Sequence, residues 1–285
     1  MNAARCLKPL RIRRTSIMLL IYFGVFVPPA FAWGNNAQRL IVNHAVDTLP
    51  YELRPFFENN RNFLIQHVND TLNNLDKHPN ERQNHFIELD KYGKFPFEAL
   101  PRNYKAALSR YSKSHIESTG KLPWQIGVYS AKLTEDMKAG RWDEAKIDAA
   151  FLADYVAEAH DPFNTTENYD GKMTGQTGVN ERFNTMLIDR YGSFFPVSPH
   201  DAFFITDPTD FAFEMCLNAH SLVESILLAD RNAKRDLSSY TDEYYDRFYN
   251  LTAAALIKQL SDAATDVGSY WLTAWTNAGK PPLPH

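Results

Sequence analysis

The chain has 285 residues, 44% of them hydrophobic, with 30 basic and 34 acidic residues and a formal charge of −4. That marks a globular chain, long enough for one large domain or two small ones. The first residues shift the balance further. Arg5, Lys8, Arg11, Arg13 and Arg14 precede an apolar run at 17–27, then Pro28, Pro29, Ala30, Phe31 and Ala32. A basic segment, a short apolar core and an A-x-A site make 1–32 a secretory signal peptide. The run is too short to stay as a comfortable membrane anchor, and Arg13-Arg14 matches a twin-arginine exporter poorly. Cleavage after Ala32 makes Trp33 the N-terminus and leaves 25 basic against 34 acidic residues, a net of −9. Such a balance argues against holding nucleic acid by phosphate neutralisation and suits a multivalent cation. Cys6 leaves with the leader, so Cys216 has no internal disulfide partner. The remaining chain, 33–285, is expected to be exported to the periplasm or beyond, and no second apolar run looks long enough to cross a membrane.

Helical periodicity runs nearly throughout. Segments 37–48 and 52–69 read as amphipathic helices separated by Pro50. A loop rich in Asn, Asp and Pro follows at 73–84, then HFIELDKYG and a segment punctuated by Pro96 and Pro101. Helices are expected at 103–116, 124–139 and 142–159. A polar loop with three glycines spans 165–178, and 179–191 is again helical. A Pro- and Phe-rich crossing, 194–208, leads into 210–230, and the longest pattern covers 240–277. There is no internal repeat, no linker of low complexity and no sustained strand alternation. The expectation is a single all-α, multi-helix domain, with the 33 Phe and Tyr residues mostly in its core.

Within the helix at 142–159, Asp154 and Glu158 interrupt a small, apolar run. Four residues apart, they share one face, one turn above the other. Carboxylates in a buried helix are costly unless a cation meets them, although an acid pair on a helix more often faces solvent. His, Asp and Glu near helix ends are also common metal ligands. The candidates are therefore Asp70, His85, Asp154, Glu158 and His160, with the α-amine of Trp33. Each also has a plain structural reading: His85 as a core histidine bonded to backbone, His160 as a helix cap. No Gly-rich phosphate loop, HExxH pair, Cys cluster or G-x-S-x-G elbow is present.

Trp33-Gly34 at a leader cleavage site, WGNNAQ, HFIELD after an Asn/Asp-rich loop, DYVAEAHDPFNTTENYDG, GVNERFN and the tail YWLTAWTNAGKPPLP together resemble the zinc-dependent phospholipase C family. That family shares its all-α fold with the fungal single-strand-specific zinc nucleases. The resemblance implies three zinc ions in a cleft, holding a water that attacks a phosphodiester. It implies that the terminal Trp chelates through its amine and carbonyl, so that Trp33 acts only after the leader is removed. Residue by residue, Trp33, Asp70 and His85 fit ligand positions, and Glu158 stands where the bridging aspartate stands. Gln38, Asp154, Asn164 and Asn180 stand where the family has histidines, and Asn184 where it has an acid. Neutral amides bind zinc poorly, so the ion that Asn164, Asn180 and Asn184 would hold is expected to be absent, leaving a polar pocket. Trp33, Asp70, His85, Asp154 and Glu158 form a mostly oxygen set, for which Ca²⁺, Mg²⁺ or Mn²⁺ is as suitable as zinc.

The resemblance thus implies a phospholipase C-like phosphodiesterase with a reduced metal site, in which Asp70 and Glu158 serve the chemistry. Its substrate would be a phospholipid or another phosphodiester, met at a membrane surface without a retained anchor. A catalytically silent member used as a binding or structural module is the rival, motivated by the missing histidines. A single-strand nuclease is a third reading, disfavoured by the acidic balance. Convergence of Trp33, Asp70, His85, Asp154 and Glu158 in space is what the enzyme reading requires.

Overall fold

The computed structural model describes residues 33–73, 78 and 80–284. The expected leader, 1–32, lies outside the described residues. Regular structure is helical, with no strand among the described residues, so the chain is all-α. It opens with α1 (Asn35–Asp47), α2 (Arg54–Asn59), α3 (Arg61–His67) and the single turn α4 (Asp70–Asn73). The expected helix at 52–69 is therefore two. The Asn60 side-chain amide donates to the Phe56 carbonyl at 2.8 Å, offering the backbone an alternative to a continuous helix.

The same happens at 103–116, which forms α5 (Tyr104–Arg110) and α6 (Lys113–Thr119). Ser112 is extended and its hydroxyl accepts from the His115 amide at 3.1 Å, an N-cap that starts a new helix. Next come the long hairpin of α7 (Leu122–Lys138) and α8 (Trp142–Ala159). Its turn end is tied by the buried acids Asp136 and Asp148, bonded to Arg141 at 2.6 Å and Lys132 at 2.7 Å. A short helical turn, α9 (Val179–Glu181), passes through a wide π turn (Arg182–Met186) into α10 (Leu187–Tyr191).

The expected helix at 210–230 is also broken, into α11 (Pro208–His220) and α12 (Val223–Lys234). Taken as one run, Pro208–Lys234 contains an 18-residue window with a mean hydropathy of 1.2, long and apolar enough by composition to cross a membrane, contrary to the sequence expectation. In the fold it turns at Ser221 and Leu222 and packs Phe213, Met215, Cys216 and Ile226 into the core. Cys216 is free and buried.

The 36-residue α13 (Asp242–Asn277) runs through the middle and packs against α1, α7, α8 and α12. Its approach to α1 is close: a Cβ on Gly268 would lie 2.0 Å from the Thr48 hydroxyl and 3.1 Å from the Ala45 carbonyl. Trp271 stacks on Phe57 with ring centres 4.4 Å apart and donates its indole N–H to the Ala149 carbonyl at 3.0 Å. Trp33 does the same one helix segment later, donating to the Ala157 carbonyl at 2.7 Å. Two buried tryptophans thus clamp α8, which fixes where its last turn points.

The crossing at 194–208 lies along α13 as an extended strap. The amides of Ser198, His200, Phe203 and Ile205 donate to the hydroxyls of Ser261, Thr265, Ser269 and Thr273, at 2.8 to 3.1 Å. Those hydroxyls recur every fourth residue, one per turn, on a single stripe of the helix. The first three also donate to carbonyls one turn back, so each hydroxyl is used twice. Removing one leaves a strap amide without its partner. Ser269→Ala and Thr265→Val are each expected to cost about 1–3 kcal/mol, read from urea unfolding. Faster exchange of the Phe203 amide in Ser269→Ala should accompany the loss, and unchanged exchange there would refute the role of the ladder.

Candidate metal centre

Asp154 and Glu158 occupy the last two turns of α8, and both are wholly buried. Each faces the same point as His85, which enters from the opposite side on the HFIELD segment. That segment is stitched in place by backbone: Ile87 donates to the Asn164 carbonyl at 2.8 Å, Glu88 to Thr119 at 2.7 Å and Leu122 to Phe86 at 3.2 Å. His85 Nδ1 lies 2.6 Å from Glu158 Oε2 and 3.8 Å from Asp154 Oδ2. Their ligand atoms lie within 4.8 Å of one another, so these three residues form a group that could hold a metal ion.

The surroundings sharpen the fit. Thr71, in α4, donates its hydroxyl to Asp154 Oδ2. Gln38, on α1 and wholly buried, faces Asp154 and helps hold its charged form, yet neither of its polar atoms reaches hydrogen-bond geometry. Asp154 Oδ1 and Glu158 Oε1 are likewise buried without a partner. An unpaired buried acceptor costs about 1–3 kcal/mol, and three such oxygens, Gln38 Oε1, Asp154 Oδ1 and Glu158 Oε1, are what a cation would satisfy. The donor set is one nitrogen among several oxygens, which fits a divalent cation.

Burial raises both acids of the cluster. It lifts Asp154 to about 6 against the pull of His85, Thr71 and Gln38. Glu158 rises to about 8, burial outweighing His85 and adding to the nearby Asp154 charge. Burial alone would lower the His85 imidazole, but Glu158 and Glu81 outweigh it and hold it up at about 10. Glu81 behaves oppositely to the buried pair: burial is overcome by the nearby His85 and by hydrogen bonds from Tyr155 and Asn84, which bring it down to about 2.

The other expected site residues are distributed as follows. Trp33 is buried and reaches α8 through its indole, beside Glu158, while the next amide, of Gly34, donates to the Asn184 carbonyl at 3.4 Å. Asp70 stands at the start of α4, ion-paired with His67 at 2.7 Å, and is not one of the three clustered residues; its neighbour Thr71 is the one that touches Asp154. Asn164 donates to the Glu158 carbonyl at 3.4 Å. Asn180 and Asn184 do meet: Asn184 donates to Asn180 Oδ1 and, at 2.7 Å, to Asp161 Oδ2. Asn184 sits within the π turn, a distortion often found at functional sites. His160 turns away and pairs with Asp266 of α13 at 2.9 Å.

Sequence reasoning missed Thr71, Glu81 and Asp161. Asp161 is wholly buried and raised to about 7 by burial, against hydrogen bonds from the Phe163 amide and Asn184. The signal available for Asp161 was its place before Pro162, where it caps the following turn by accepting from Phe163 at 2.9 Å. The signal available for Glu81 was its spacing of three and four from Asn84 and His85, although Tyr155 lies 74 residues away; nothing local marks Thr71, whose partner lies 83 residues away.

No protein-family model matches the chain, and no curated protein matches it. Among solved structures, it is similar to the alpha toxin from Clostridium absonum, with a TM-score of 0.49, 13% identity, and coverage of 85% of this chain and 63% of that one. It is similar also to the Clostridium perfringens alpha-toxin isolated from avian strain SWCP, with a TM-score of 0.47, 16% identity, and coverage of 85% and 65%. The chain therefore spans less than two thirds of the toxin chains it matches.

The shifts give a signed pH dependence for the protein held in chelator. Asp154, Asp161 and Glu158 keep their protons to higher pH when folded than the ordinary values of 3.8, 3.8 and 4.5. His85 likewise keeps its proton above the ordinary 6.5. Folding binds protons in each case, so stability is fully present below the unfolded values and falls as pH rises through about 6, 7, 8 and 10. The urea midpoint of metal-free protein should therefore drop from pH 5 to pH 8, by at least about 1 kcal/mol in stability. A midpoint that rises over that range would contradict the assignment.

Proposed function

We propose that the chain is a phospholipase C-like, metal-dependent phosphodiesterase, exported once 1–32 is removed. The observation that carries the reading is the buried group of His85, Asp154 and Glu158, with carboxylate oxygens that lack protein partners. In this reading His85 Nδ1, Asp154 and Glu158 hold one divalent cation, and the unpartnered Gln38 amide oxygen adds a further oxygen. A cation bound there would acidify a water and offset charge developing on a phosphodiester. Glu158 would serve both as a ligand and, through whichever carboxylate oxygen the ion leaves free, as the acceptor of a proton from that water. Thr71 fixes the rotamer of Asp154, while Asn164 donates to the Glu158 carbonyl and Asn184 to Asn180 and Asp161, so these amides shape the wall beside the cluster. Asp70 takes no ligand role here, because His67 holds it at the edge of α4. The substrate is a phospholipid or related diester, approached at a membrane surface.

A second reading, a silent member kept as a binding module, is favoured by one observation. Asp161, Asn180 and Asn184 are linked by hydrogen bonds from the Asn184 amide, which meets the Asp161 carboxylate without an ion. Metal analysis of the purified chain and hydrolysis of a choline-phosphate ester, with and without chelator, separates the two. The enzyme reading expects bound metal, chelator-sensitive turnover and a fall of about 10²- to 10⁴-fold in kcat/KM for Glu158→Gln. Gln38→Ala should weaken metal binding without unfolding the chain. Absence of both metal and turnover would leave the silent reading in place.

A further inference from the structure

Outside the three clustered residues, one half-buried carboxylate stands on the far side of the His85 ring. Glu81 Oε1 lies 3.4 Å from His85 Nε2, an ion-pair contact that stops short of hydrogen-bond geometry and leaves Nε2 facing that carboxylate, while Nδ1 faces Glu158 at 2.6 Å and Asp154 at 3.8 Å. Both oxygens of Glu81 are held. The Tyr155 hydroxyl donates to Oε1, and the Asn84 amide donates to Oε2 at 3.1 Å. The Tyr155 hydroxyl in turn accepts from Gln125 at 3.5 Å, and its ring centre lies 5.0 Å from that of His85. Tyr155 follows Asp154 directly on α8, about 100° further round the helix. One helix therefore supplies carboxylates to one side of His85 and, through Tyr155 and Glu81, an acceptor to the other.

We infer that Glu81, locked by Tyr155, is a positioning residue that keeps the proton of His85 on Nε2 and so presents Nδ1 to a divalent cation held with Asp154 and Glu158. The inference rests on the metal site proposed above. A neutral imidazole carries one N–H, and the hydrogen bond made by one nitrogen decides which nitrogen is left as donor to a metal. Carboxylates behind ligating histidines fix ring orientation and raise ligand basicity, and their loss costs about 10- to 100-fold in metal affinity. Here the acceptor comes from a loop, and only the Tyr155 and Asn84 contacts aim it at the ring.

Zn²⁺ and Mn²⁺ titrations by calorimetry, on the wild-type chain, Glu81→Gln, Glu81→Asp and Tyr155→Phe, test this. Glu81→Gln should bind about 10- to 100-fold more weakly, Tyr155→Phe should fall between it and wild type, and Glu81→Asp should recover part of the loss. In Zn²⁺-loaded wild type, ¹⁵N shifts should place the proton of His85 on Nε2 and the metal on Nδ1, and Glu81→Gln should disturb that assignment. If the wild type binds metal but Glu81→Gln binds within twofold of it with the same tautomer, this inference is overturned and the metal site stands. If both Glu81 variants weaken binding equally and the tautomer is unchanged, the residue acts through stability alone and the inference is likewise overturned. If the wild type binds neither ion, the metal site itself fails, and the positioning role with it.

Discussion

Two carboxylates without solvent, on successive turns of one helix, set the terms for everything around them. Among the described residues, Asp154 and Glu158 have one close cationic partner, His85, between them. One imidazolium cannot neutralise two carboxylates, and a second uncompensated charge in a dry interior costs several kcal/mol. Without metal the protein meets this by keeping protons, which is why burial moves both acids upward. A divalent cation meets it differently: both acids ionise, and the buried oxygens that lack partners gain one. The site is thus balanced between a protonated state and a metallated one, and pH and metal act on the same few atoms.

Such a balance needs a rigid frame, and the fold supplies it from far along the chain. Trp33 and Trp271 donate to carbonyls of α8 from two directions, so the helix cannot slide to bring its acids to solvent. Gly268 lets α1 come close enough to α13 for Gln38 to look down on Asp154. The strap at 194–208, bonded turn by turn to hydroxyls of α13, carries the chain from α10 to α11 without another helix. Each device fixes backbone, and the backbone fixes the side chains of the site.

The parts of this that were legible in the sequence are those with short period. Asp154 and Glu158 stood out because a spacing of four inside an apolar run is a local fact. The all-α class and the long last helix followed from sustained periodicity in the same way. The breaks at Asn60 and Ser112 were harder, since an Asn or Ser inside an amphipathic pattern reads equally as a polar face position or as a cap. The hydroxyl stripe Ser261, Thr265, Ser269 and Thr273 was visible as letters, yet its meaning depends on a strap some 65 residues away. Thr71 was invisible for the same reason: what makes it matter is a partner chosen by the fold, whereas Glu81 stands four residues before His85 and was passed over although that spacing is local.

The three asparagines show where reasoning by position stops and physics continues. Read one at a time, Asn164, Asn180 and Asn184 are ligands replaced by groups that bind metal poorly. In space they separate. Asn164 belongs with Glu158, whose carbonyl it meets, and with Ile87, whose amide it accepts. Asn184 instead donates to both Asn180 and Asp161. An amide beside a buried aspartate serves as a donor to it, and a proton on Asp161, whose pKa burial has raised to about 7, makes the group neutral. A polar core of neutral amides around Asp161 therefore sits one turn past the acidic cluster, with Asn184 Oδ1 its one buried oxygen left without a partner. At the acidic cluster three oxygens, Asp154 Oδ1, Glu158 Oε1 and Gln38 Oε1, are left over, and two of them belong to carboxylates. That contrast, one spare amide oxygen beside a set of unpaired oxygens that includes two acids, is the physical reason to place a single ion at His85, Asp154 and Glu158 and none at the asparagines.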